Sequence, residues 1–182
     1  MRLGSHSQPP YSNIRVTDDS YAAHSETSLT QDPHNPLNLV GGAKFFPDVA
    51  HYRFNVGYAA SLDGGCTWSK SRVLPGFDAE TSSSDPVFAF GPHSKVYAAT
   101  IFINKHTSDV SVSRDKDLTF SKPTTVFETR PEAVFSDKPS GQLYLAWSDK
   151  GTGDADVLLV TSKDKGKTWS APLRVNDDPI HN

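Results

Sequence analysis

"SLDGGCTWS", residues Ser61 to Ser69, decides how this chain is read. It has the composition of a turn, and it recurs. "SRDKDLTFS" spans Ser113 to Ser121, and "SKDKGKTWS" spans Ser162 to Ser170. All three fit Ser-x-Asp-x-Gly-x-Thr-aromatic-Ser, except that Asp117 stands where the others have Gly65 and Gly166. Their starts lie 52 and 49 residues apart, a spacing that points to stacked structural units rather than to one local site.

The flanks repeat as well. A strand-like segment precedes each box: Asn55 to Ala60, Asp109 to Val112 and Val157 to Thr161. Another follows each, ending at Val73, Val126 and Val175. Upstream lie pairs of apolar segments split by turn formers: "TSLTQ" and "LNLVGGAKFF", "PVFAF" and "KVYAATIF", "PEAVF" and "QLYLAW". Each repeat is therefore four short strands, with the box between the third and fourth. "RVTDD" at Arg15 to Asp19 matches "RVNDD" at Arg174 to Asp178, which sets the phase: the end of one fourth strand, then three full repeats. Such repeats predict an all-β propeller of four-stranded antiparallel blades. Residues 14–182 make the blades, and residues 1–13 are read as a disordered or non-native tail. Three blades do not close a ring. Either a longer protein supplies the rest of a six-bladed fold, or two copies associate to complete it.

A tight turn must satisfy its own backbone. The aspartates Asp63, Asp115 and Asp164 are placed to accept amide hydrogens, with Ser61, Ser113 and Ser162 assisting. The glycine position calls for positive φ. Trp68, Phe120 and Trp169 are expected to fold back as apolar plugs between sheets. Thr67, Thr119 and Thr168 complete the pattern. Catalysis by a residue repeated in every blade makes little sense for a fold with one axial site.

The charge balance is near neutral, with a net charge of −3, so there is no electrostatic footprint for nucleic acid. No apolar run reaches the roughly 20 residues of a membrane span. No signal peptide is visible, and Cys66, the one cysteine, reads as a free thiol. No cofactor is expected. The acidic, glycine-rich stretch Asp149 to Asp156 is the place where a structural calcium would bind, against its simpler reading as a flexible hairpin. Trp147 and Tyr144 read as core.

The three boxes resemble the Asp-box, or bacterial neuraminidase repeat, and the text around them is similar to bacterial exo-α-sialidases. That resemblance implies a secreted or cell-surface glycoside hydrolase that acts on terminal sialic acid of glycans. It implies an active site on the face opposite the boxes, in the loops Asp18–Ser25, Phe45–Arg53, Pro75–Asp85, Ile103–Asp109, Phe127–Pro131 and Asp149–Asp156. Sialidases use an arginine cluster, a tyrosine–glutamate nucleophile and an aspartate acid/base. The tyrosine and two of the arginines belong to later blades. The early Phe-Arg-Ile-Pro motif has no counterpart, and "YRFN" around Arg53 is an echo of it. Asp48, in "FFPDVAHYRF", falls where the acid/base aspartate would be. Asp48 and Arg53 are thus the catalytic candidates. The competing expectation is a propeller that binds a glycan or protein without chemistry.

Overall fold

The computed structural model describes residues 13–76, 82–103, 107–113, 119–127, 132–137, 140–149 and 155–179. Asp115, Asp117 and His106, and most of the Asp149–Asp156 stretch, lie outside them. The described residues form twelve strands in three antiparallel sheets. Blade 1 holds β1 (Ala23–Gln31), β2 (Leu39–Asp48), β3 (Arg53–Ser61) and β4 (Arg72–Val73). Blade 2 holds β5 (Ser83–Phe90), β6 (Val96–Phe102), β7 (Thr107–Val112) and β8 (Thr124–Phe127). Blade 3 holds β9 (Glu132–Asp137), β10 (Leu143–Asp149), β11 (Asp156–Ser162) and β12 (Leu173–Arg174). Each sheet runs in simple sequence order, as a partial propeller requires. The inner strands start earlier than the apolar runs suggest, because Ala23–Ser25 and Ser83–Ser84 also pair.

A sheet has two faces, and blade 2 is covered on both, by blade 1 and by blade 3. Between blades 1 and 2 lie Val40, Val56, Tyr58, Phe88 and Phe120, and between blades 2 and 3 lie Tyr97, Val110, Leu143, Trp147 and Val160. The approach is close. A Cβ at Gly42 would stand 2.1 Å from the Phe88 ring, so only glycine lets β5 settle on β2. Side chains also cross the seam: Val56 donates its amide to Ser83 Oγ at 2.8 Å, and Phe88 donates its amide to Ser28 Oγ at 3.3 Å.

The boxes are self-contained turns. In the first, Ser61 Oγ donates to Asp63 Oδ1 at 2.7 Å and accepts the Gly65 amide at 2.9 Å. Asp63 also accepts the Thr67 amide at 2.9 Å and the Thr67 hydroxyl at 2.5 Å. The third box repeats this atom for atom through Ser162, Asp164, Gly166 and Thr168. The Thr67 and Thr168 hydroxyls, followed by the threonine amides, hold Asp63 and Asp164 down at about 2. Gly65 and Gly166 take φ of 93° and 85°. In all three boxes the last serine locks the hairpin: Ser69, Ser121 and Ser170 exchange bonds with Ala60, Val112 and Thr161. Phe120 packs edge-on to Tyr58, with centroids 4.8 Å apart, and so bridges blades 1 and 2. Trp169 packs against the core between blades 2 and 3. Trp68 rests on Gly41 beside Val16, on the side of blade 1 away from blade 2.

Candidate functional site

The box turns and the turns joining first to second strands share one face. The opposite face carries the openings of the inner strands β1, β5 and β9, together with the turns between second and third strands. Two inner strands are irregular there. β1 bulges between Ser25 and Ser28, and β5 between Ser84 and Val87. Both bulges sit beside the same point of the neighbouring strand: Ser25 faces Lys44, and Ser84 faces Ile101. The bulged residues are Glu26 and Asp85, at φ of 55° and 49°. Non-glycine residues rarely take such backbone, and the cost is about 1–3 kcal/mol each. Bulges re-aim side chains and gather next to active sites.

Here the bulges bring two carboxyl groups together. Lys44 Nζ donates to Glu26 Oε1 at 2.5 Å, Ser84 Oγ donates to Oε2 at 2.8 Å, and the Asp85 amide donates to Oε2 at 3.1 Å. The Asp85 carboxyl hydrogen-bonds Glu26 as well. Partial burial pushes Glu26 up, but Lys44, Ser84 and Asp85 together outweigh it and hold the acid at about 2. Two carboxyl groups share a hydrogen bond only with a proton between them. Lys44 and the Asp85 amide favour the negative charge on Glu26.

Beneath the pair, Lys44 is buried. Its ammonium group lies 4.5 Å from the ring centre of Phe54, 5.4 Å from Phe46 and 5.9 Å from Tyr52. Three aromatic faces and one carboxylate compensate a cation that burial alone would disfavour.

Asp48 stands at the end of β2 and caps its own hairpin. Its Oδ1 accepts the amides of Ala50 and His51 at 2.9 and 3.1 Å, and its Oδ2 lies 2.6 Å from His51 Nδ1. The His51 ring, then its amide, draws Asp48 below the usual carboxylate range. Arg53 pairs in register with Asp48 and is exposed. Asp48 and Arg53 thus lie opposite each other at the turn between β2 and β3. Asp85 is the last residue of one loop expected to carry the site, and Glu26 follows directly after another. Alternating polarity gave no warning of a bulge, and the signal available was an acid followed by a disrupted period-two pattern. Among the described residues, no group of His, Cys, Asp or Glu has the arrangement of a metal site.

Known protein families give no match to this sequence, and curated proteins give none. Solved structures do. An exo-β-1,3-galactanase from Clostridium thermocellum aligns with a TM-score of 0.63 at 15% identity, over 85% of this chain and 36% of its own. The Hadza microbial sialidase Hz136 aligns with a TM-score of 0.59 at 16% identity, over 82% and 37%. The α-L-arabinofuranosidase arb93a from Fusarium graminearum aligns with a TM-score of 0.60 at 18% identity, over 83% and 48%. The chain has a glycosidase-like propeller fold. It spans between about a third and a half of the length of these three proteins.

Proposed function

We propose that this chain is part of a carbohydrate-acting propeller of the glycoside hydrolase kind, with its sugar site at the openings of β1, β5 and β9. The observation that carries this reading is the Glu26–Asp85 pair, built at a backbone cost on two neighbouring blades. Glycoside hydrolysis needs a carboxylic acid to protonate the leaving oxygen and a negative charge near the oxocarbenium-like centre. In this reading Asp85 is the acid and Glu26 supplies the charge. Hydrogen-bonded carboxyls sit closer than the roughly 5–5.5 Å of a retaining pair. The dyad thus supplies one of the two roles, and a further carboxylate supplies the other.

Two observations bear on the sugar. The Asp-boxes and the sialidase among the structural neighbours support terminal sialic acid, the reading in which Asp48 and Arg53 take part. The acidic dyad supports a neutral sugar, because a substrate carboxylate would meet Glu26. Release of 4-methylumbelliferone from a sialoside, a β-galactoside and an α-L-arabinofuranoside separates them. Turnover of one of these, lost in Asp85→Asn, is the expected result. Saccharide binding with no turnover would make the chain a binding module. Neither binding nor turnover would overturn the reading.

A further inference from the structure

Tyr52 is the most conspicuous side chain near this site that the proposed chemistry leaves unused. It sits at the tip of the turn between β2 and β3, on the face where the inner strands open. The side chain is large and apolar, yet the residue is 66% exposed. Its backbone is at φ 51°, which for a bulky residue is an outlier that a glycine at the same place would avoid. The turn is nevertheless firmly made. Asp48 caps two of its amides, and the Tyr52 amide donates to Val49 O at 3.2 Å. The ring is steadied from below: it stands edge-on to Phe54 with centroids 5.0 Å apart and tilted against Phe46 at 5.8 Å. The Lys44 ammonium lies 5.9 Å from its ring centre and 2.5 Å from Glu26 Oε1.

A fold that keeps a strained, exposed aromatic ring rigid beside a carboxyl pair has prepared a flat apolar surface at low entropic cost. We infer that Tyr52 is a saccharide platform: its open face stacks on the C–H face of a sugar ring whose polar edge turns toward Glu26 and Asp85. This rests on the reading of that mouth as a sugar site. Asp48 then acts through the turn, as a positioning residue for the ring.

The test is titration of the full chain with β-1,3-galactotriose, an arabino-oligosaccharide and 3′-sialyllactose, by calorimetry or ligand-observed NMR. Tyr52→Ala is expected to weaken the bound saccharide about tenfold, while Tyr52→Trp and Tyr52→Phe stay within about twofold of the parent. Tyr52→Gly removes the ring and the strain together. It should lose the same affinity while the melting temperature holds or rises, which a purely structural tyrosine would not do. If the parent binds a saccharide, Asp85→Asn disturbs that binding and Tyr52→Gly leaves it unchanged, the platform is overturned and the site stands. If the parent binds none of the three, the site and the platform fall together.

Discussion

At the box turns the chain enters left-handed backbone on Gly65 and Gly166, at φ 93° and 85°; at the opposite face it does so on Glu26, Tyr52 and Asp85, at 55°, 51° and 49°. The first choice is nearly free, since glycine has no Cβ to clash. The second is not. The division is not absolute: Gly76, between β4 and β5, takes positive φ on the face opposite the boxes, and Lys165, His93 and Ser94 do so on the box side. Those three are polar and lie in turns. Glu26 and Asp85 lie within strands, and their side chains meet. Strain that a glycine would remove, and that is instead kept in residues with chemistry, is the reason for proposing the site on that face. The box face holds the blades together.

The contrast can be broken in several places. The largest effect expected is on activity: Asp85→Asn should lower turnover of the cleaved glycoside by roughly 10²–10⁴, the usual worth of a general acid, with near-parental stability by denaturant titration. An unchanged rate would put the chemistry elsewhere. Next comes the seam between blades. Gly42→Ala would force the Phe88 ring away from a Cβ 2.1 Å distant and should cost about 3 kcal/mol, visible as a lowered urea midpoint. Lys44→Met leaves Glu26 without its cation. A wholly buried pair would lose roughly 3–5 kcal/mol, but the Glu26 side chain is 35% exposed, so about 2 kcal/mol is expected. The double variant with Glu26→Gln should cost less than the two changes summed. On the box face, Gly65→Ala should cost about 1–2 kcal/mol, because its backbone forbids a Cβ.

The smallest effect is acid sensitivity. Asp63 and Asp164 are held at about 2, below the ordinary 3.8. A depressed acid adds stability above its unfolded value and loses it as pH falls through the folded one. The box contribution should therefore be complete above about pH 4 and fade toward pH 2. Carboxyl ¹³C shifts of the two aspartates should titrate near the lower limit. Midpoints near 4 would mean that the turns do not use their carboxylates as described.

Much of this architecture was legible because repetition makes weak signals strong. One Ser-x-Asp-x-Gly turn says little, but three with matching flanks place all four strands of each blade. The site was harder to read. Asp48 reads as a candidate from its loop, and the amides it accepts, of Ala50 and His51, are those of its own turn. Glu26 and Asp85 looked like ordinary strand-edge acids. Their meeting depends on two bulges and on the packing of blade 1 against blade 2, a contact between residues 59 positions apart that no local pattern encodes. The buried Asp109 and Asp156 likewise find their partners on another strand. They tie third strands to fourth, through the Thr125 hydroxyl at 2.8 Å and Arg174 Nε at 2.5 Å.

Asp85→Gly offers the most direct trial, because it relieves the strain and removes the acid in one change while keeping the amide that binds Glu26. Thermal unfolding and glycoside turnover would be followed on the same preparation. The strained-dyad reading predicts a melting temperature equal to or above the parent's, with turnover lost. A lower melting temperature with turnover intact would show that Asp85 serves the fold and not the chemistry.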